Sequence, residues 1–493
     1  MALRLFAAFA ALFLLVPANA QTLPTEADLR RHIEILASDD FEGRQPGTAG
    51  EALAVSYIAA ALSNAGLLPG YRGNYFQPVA LISRADGSVT LRSDGPAGAR
   101  THGGEMLALG TRERITLDNL PLTFVGYAID IGEDDGGAMG ALRFDGQAVL
   151  LLGGAPEGAG TTPSYRRRIA FFRERGAAAI IVIVEPDLPW DAAVTGMRFR
   201  QTYLASHRLA PVEAILSTPT ADAILSDIGQ SRETLAATAA APGFASVTLD
   251  LAVGFDVTTI IDRYDGINVV ARLPGTGETD ETVLFSAHHD HFGICRPDSD
   301  EDRICNGAVD NASGTAALIE TARALAQGAP PVRDILFLTT TAEEDGLLGA
   351  RAFVAQPPVP LDTIVAVFNL DTIAIAPAGA AVGIIGRGMT PLDTLIDAVA
   401  AENGRTIDTS TDINGFVRRN DGWAFLEQGV PAVMAGGSFT DPELLNAFLR
   451  GPYHGPDDEI EDLELGGALE DTWLHIALGR AFSDPARYPS PRR

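Results

Sequence analysis

From Gly266 onward, short apolar runs alternate with amphipathic stretches. "INVVARL", "TVLFSA", "DILFLTTT", "IVAVFNL" and "PAVMAGG" read as strands, with helices from Ser313 to Gln327 and near Leu347–Ala355 between them. Such alternation predicts an α/β fold, a mostly parallel mixed sheet flanked by helices on both faces. Upstream, Leu23 to about Leu81 reads as two helices separated by a Gly/Pro turn at Arg44–Gly47. The second has Ala54, Tyr57, Ile58 and Leu62 at helical spacing and ends near Gly66. Between about Gly87 and Gly243 the pattern changes to β-like runs punctuated by glycine. There "FDGQAVLLLGG" and "GAAAIIVIVEP" are buried-strand signals, and "PSYRRRIAFFRERGAA" is the helix between them. This middle stretch holds His102 and His207 far apart and no carboxylates at ligand spacing, so it reads as an insert without chemistry.

The first twenty residues, "MALRLFAAFAALFLLVPANA", place Arg4 before an unbroken apolar run from Leu5 to Val16, with small residues Ala18 and Ala20 before Gln21. That is the pattern of a secretory signal peptide, with cleavage expected after Ala20 and a periplasmic or secreted product. No lipobox cysteine and no later apolar stretch of membrane-spanning length predict a soluble product without a membrane anchor. A chain of 493 residues suits two or three domains. Its formal charge of −28 argues against nucleic-acid partners and suits solubility. Every cation is an arginine, and the absence of lysine removes Walker-type phosphate binding and Schiff-base chemistry together.

In an open α/β sheet, ligands gather beyond the carboxyl ends of the strands. Three predicted strands end on candidate metal ligands: "TVLFSA" runs into His288, "DILFLTTTA" into Glu343–Glu344, and "IVAVFNL" into Asp371. Asp310 in "GAVDNASG" and His454 in "GPYHGPDDE" complete a candidate set of imidazoles and carboxylates, the donors that zinc takes. Asp310 stands just before a helix, where main-chain N–H groups favour an ionised carboxylate able to face two metals. Asp290 follows His288 by two residues and, in an extended segment, lies on the same side, ready to accept the ring N–H and orient it.

The motifs "AHHDHFG", "NGAVDNASG", "TAEEDGLLGA", "FNLD" and "YHGPDD", in this order and at these distances, resemble metallopeptidase family twenty-eight, the co-catalytic zinc aminopeptidases. "EGRQPGTAGEALAVSYIAAAL" and "NDGWAFLEQGVPAV" are similar to its bacterial branch. The glycine-rich middle resembles the β-rich protease-associated domain inserted in many members. The resemblance implies a signal peptide over residues 1–20, an N-terminal part of the peptidase over 21–100, the insert over 101–243 and the catalytic domain over 244–485. It implies two zinc ions, with His288 and Asp371 on one, Glu344 and His454 on the other, and Asp310 between them. Glu343 becomes the general base beside a ligand, and Tyr453 stands where its hydroxyl would stabilise the oxyanion, a packing role being the alternative. The chain departs from the family pattern at Gly422, which follows Asp421 where histidine or tyrosine is usual and which touches the floor of the substrate pocket.

Between its first and last ligands, the loop from Ser286 to Gly314 holds a surplus. His289 should point away from a site that His288 faces, in a structural role, while His291 is left open. Asp298, Asp300 and Asp302 imitate the start of a calcium loop. Arg303 stands where that loop needs glycine and Val309 at its twelfth position, so these acids read as a solvated rim. Cys295 and Cys305, the only cysteines, enclose the rim and in an exported protein are expected to form a disulfide. The leading expectation is an exported aminopeptidase acting on peptides. A carboxypeptidase or dipeptidase using the same metals is the rival, with Arg418 and Arg419 as candidate holders of a substrate carboxylate. A one-zinc glutaminyl-cyclase-like acyl transferase and a non-catalytic binding protein complete the alternatives. Oligomeric state is not legible from these features.

Overall fold

The computed structural model describes residues 22–490 apart from 130, 132–136, 157, 161, 199–200, 242 and 462. The leader predicted over residues 1–20 lies outside the described residues. Among them no helix is long and apolar enough to cross a membrane. The chain forms two units, one of residues 1–79 with 266–493 and one of Ala80–Asp265. The division falls inside two long strands, Phe76–Asp94 and Val247–Leu273, whereas the resemblance placed the insert over 101–243. Continuous strands leave no turn residues to mark such a boundary in the sequence.

The first unit is built on four parallel neighbours, Ala432–Gly436, Ile364–Asn369, Thr282–His288 and Asp334–Thr340. Gly383–Ile385 pairs antiparallel with the first of them, and residues 269–273 pair antiparallel with the last. Every residue of Thr282–His288 is buried, which explains why it reads as an apolar run: helices cover both faces. Its side chains alternate between two cores. Val283, Phe285 and Ala287 pack with Glu26–Leu36, Ala49–Asn64, Gly314–Gln327 and Gly466–Phe482, whereas Leu284 packs with Leu336, Leu338, Phe353 and Phe425. Phe285 centres the first core, its ring 5.5 Å from Phe337 and 5.4 Å from Phe368. Truncating it to alanine would cost about 3–5 kcal/mol.

The helices follow their local signals. Thr25 caps Glu26–Leu36 in a reciprocal box with Asp28, Thr48 caps Ala49–Asn64, and Ala54, Ile58 and Leu62 of the predicted stripe are buried. Parallel register then aligns the strand ends: His288 lies opposite Thr340, and Ser286 opposite Asn369. The residues just past these positions therefore emerge at one edge of the sheet.

The second unit holds a parallel set of strands of its own. Residues 122–124, Ala148–Leu152, Ala179–Ile183 and Val212–Leu216 run parallel, and Met106–Gly110 and the N-terminal part of Val247–Leu273 pair antiparallel at its two sides. Its buried Glu213 is matched by Arg84 at 2.9 Å and Arg173 at 2.6 Å, a closed ionic network around Tyr203.

Candidate metal centre

Strand ends and the turns after them bring the five candidate ligands together. His288 ends its strand, and its Nε2 lies 3.1 Å from Asp310 Oδ1 and 3.4 Å from Asp371 Oδ1. Asp371 follows the next strand, where Leu370 N–H bonds Ser286 O at 2.7 Å and Asn311 Nδ2 donates to Leu370 O at 3.0 Å. On the other side, His454 Nε2 lies 3.3 Å from Asp310 Oδ2 and 3.2 Å from Glu344 Oε2. Asp310 thus turns one oxygen to His288 and the other to His454. Ligand atoms of His288, Asp310 and Glu344 fall within 4.8 Å of one another. The Asp310 segment is held from below, because the Asp458 carboxylate accepts the N–H groups of Val309 at 2.9 Å and Asp310 at 3.0 Å. His454, in the left-handed region at φ 59°, stacks on Tyr453 with ring centres 3.6 Å apart.

Charge is polarised across this cluster. Burial pushes Glu343 well above the usual carboxylate range; His288 opposes this, while Asp371, Glu344 and Asp421 add to it. Burial also acts upward on Asp310, but the imidazoles of His288 and His454 standing against its two oxygens outweigh it and hold the carboxyl ionised. Glu344 is likewise lowered, since His291 and His454 overcome burial and the neighbouring Asp310. The two adjacent glutamates are therefore driven in opposite directions.

A cleft of about 470 Å³ opens over the cluster, lined by His288, Asp310, Glu343, Glu344 and Asp371 on one side. Ile385, Phe416, Met434, Phe439, Leu445 and Leu449 make an apolar wall, with Arg419, Asn420 and Tyr453 between. Of the pocket residues expected from sequence, only Arg419 lines this cleft. Arg418 stacks over Trp423, 4.7 Å from its ring centre, because adjacent residues of the 3-10 turn Asp412–Arg419 face different ways. Asp421 is buried beneath the site, accepting the Thr340 hydroxyl, and burial raises it to about 7. Gly422 is also buried, its N–H donating to Asn420 Oδ1 at 3.0 Å. A side chain added there would meet Asn420 and Ala432, so the glycine shapes the packing under Asn420.

Asp290 lies on the His288 side, as expected, but its carboxylate is not the nearest group to the ring. The closest Asp290 atom to His288 Nδ1 is its main-chain oxygen at 3.2 Å, and its carboxylate Oδ1 stands at 3.7 Å while accepting the N–H of Glu343 at 3.0 Å. The strand ends at His288, and the Asp290 carboxylate stands between the His288 ring and the Glu343 N–H, with its hydrogen bond going to the latter. His289 is fully buried, its Nδ1 3.2 Å from the Thr339 hydroxyl. Cys295 and Cys305 form the disulfide, closing the hairpin of Gly293–Ile294 with Ile304–Cys305. Two supports escaped the sequence reading. His291 Nδ1 sits 2.7 Å from Glu344 Oε1, leaving Oε2 for His454, and Asp458 holds the Asp310 loop. The "HHDH" and "HGPDD" strings contained both residues without showing which loop each would reach.

Residues 268–477 match the profile of peptidase family M28. Leucine aminopeptidase 1 of Aspergillus niger is 28% identical over 246 residues, 46% of this chain and 58% of that protein. The chain thus spans less than two thirds of this relative's length. A vacuolar membrane protease of Candida tropicalis is 34% identical over 98 residues, 20% of this chain and 10% of that protein. Among solved structures, the aminopeptidase from Aneurinibacillus sp. strain AM-1 superposes with a TM-score of 0.53 at 18% identity, covering 92% of each chain, and so shares the fold.

Proposed function

Since residues 268–477 belong to peptidase family M28, we propose that the protein is an exported two-zinc exopeptidase that removes the N-terminal residue of peptides. The observation that carries the two-metal reading is Asp310, whose two oxygens face separate imidazoles, with Asp371 beside one and Glu344 beside the other. The donors fit zinc, which takes imidazole nitrogen and carboxylate oxygen. One atom supports this directly: buried His454 Nε2 makes no hydrogen bond although carboxylate oxygens stand 3.2 and 3.3 Å away. Zinc bound there supplies Lewis acidity and a water acidic enough to deprotonate near neutral pH.

The chain's residues do the rest. Glu343, buried and raised in basicity, takes the proton of the attacking water and delivers it to the leaving amine. Tyr453 accepts a hydrogen bond from Arg419 Nη2 at 3.2 Å, so its own proton is directed elsewhere and serves the oxyanion. The carboxylates of the cleft attract an α-ammonium, and the apolar wall takes an apolar side chain.

Arg419 favours a second reading, a carboxypeptidase or dipeptidase, because its guanidinium lines the cleft where a substrate carboxylate would bind. Paired substrates separate the two. Aminoacyl-nitroanilides should be cleaved and their N-acetyl forms spared. Cleavage of acetylated peptides with free, but not amidated, C-termini would replace the first reading with the second.

A further inference from the structure

The N-terminal string "EGRQPGTAGE" supplies no candidate ligand and lies outside residues 268–477, yet two of its side chains reach the strand ends that carry the site. Arg44 is fully buried. Its Nε donates to His289 O at 2.6 Å, Nη1 to Leu36 O and to Asn306 O at 2.6 Å, and Nη2 to Gly307 O at 3.0 Å. Three of those carbonyls belong to the residue after His288 and to the loop leading to Asp310, and the fourth, Leu36 O, ends the helix Glu26–Leu36. Glu51, also buried, accepts from the Thr341 hydroxyl and from Ile267 N–H at 3.0 Å through Oε1, and from Gly47 N–H at 2.6 Å through Oε2. Thr341 stands two residues before Glu343. One segment thus grips all three approaches to the cluster: after His288, before Asp310 and before Glu343–Glu344.

We propose that Arg44, with Glu51, is a positioning clamp that sets the spacing of His288, Asp310 and the Glu343–Glu344 pair. The proposal rests on the metallopeptidase reading. Four of the guanidinium's N–H groups are spent on main-chain oxygens, so the residue fixes loop geometry and never meets substrate. Lysine keeps the charge but offers three donors on one nitrogen and cannot span four separated carbonyls. Glutamine at position 51 keeps one acceptor but turns an NH₂ toward donors that need an oxygen.

The test compares wild type, Arg44→Lys and Glu51→Gln by chelator competition for zinc, by kcat and KM on an aminoacyl-nitroanilide at saturating zinc, and by thermal unfolding. For Arg44→Lys, zinc affinity should fall about 10–100-fold, the usual effect of losing support behind a ligand. In the loaded protein kcat should fall about 100-fold with KM little changed, as misplaced reacting groups predict. Glu51→Gln should change both in the same direction by less. Folded variants with wild-type zinc affinity and kcat would overturn the clamp, as would a kcat loss that only tracks the unfolded fraction. Should Arg44→Lys fail to fold, Glu51→Gln decides alone, and wild-type values in it reject the proposal. A wild-type protein that binds no zinc sinks the metallopeptidase reading and the clamp together. One that binds zinc and turns over while both variants match it sinks the clamp only.

Discussion

Glu343 and Glu344 are neighbours in sequence with different surroundings, and replacing each by glutamine should separate them. Glu343 is placed by its backbone, since its N–H is held by Asp290 Oδ1 at 3.0 Å. Its carboxylate approaches only His288 among the imidazoles, at 4.0 Å. Glutamine has the same shape, so Glu343→Gln should keep the site assembled and remove only the proton acceptor. General-base catalysis is worth ~10²–10⁴-fold, which at ~1.36 kcal/mol per decade is a loss of about 2.7–5.4 kcal/mol of transition-state stabilisation. Zinc content and KM should stay near wild type.

Glu344 has both oxygens engaged, one 2.7 Å from His291 Nδ1 and one 3.2 Å from His454 Nε2. In Glu344→Gln an NH₂ replaces one of them and a negative charge is lost, so the metal itself should be released on dialysis. Zinc by elemental analysis, measured beside kcat and kcat/KM for both variants, reads the difference. Equal zinc loss in the two, or a Glu343→Gln enzyme with more than a tenth of wild-type kcat, would refute this division of roles.

His291→Ala should lower zinc affinity about 10–100-fold by freeing Glu344 Oε1, with substrate KM unaffected once zinc is saturating; chelator competition reads it. Cys295 and Cys305 close a short loop whose second sulfur is 3.5 Å from His454 O. Reduction or replacement of the pair should cost ~2–3 kcal/mol of stability, seen as a lower Tm, and non-reducing peptide mapping should recover the two cysteines linked.

What the sequence disclosed and what it concealed divide along a physical line. The parallel strands are covered on both faces, so they stand out as apolar runs, and a polar residue at the end of such a run is conspicuous. His288, Glu343, Glu344 and Asp371 were legible for that reason. The supporting contacts depend on loop paths that no periodicity encodes. Asp290 shows the difficulty most clearly: alternation along an extended strand assigned its carboxylate to His288, where it stands 3.7 Å from Nδ1, but the hydrogen bond it accepts comes from Glu343 N–H at 3.0 Å. What faces His288 Nδ1 most closely is a main-chain carbonyl, a group every residue has, so no choice of amino acid at position 290 advertises that contact. Arg44 is the same case from the donor's side. A buried guanidinium is costly unless its donors are met, and here they are met by carbonyls whose arrangement exists only in the folded loops. A candidate ligand can thus be recognised by its own chemistry at a strand end. The group that holds it can be recognised only once the backbone it binds has been placed.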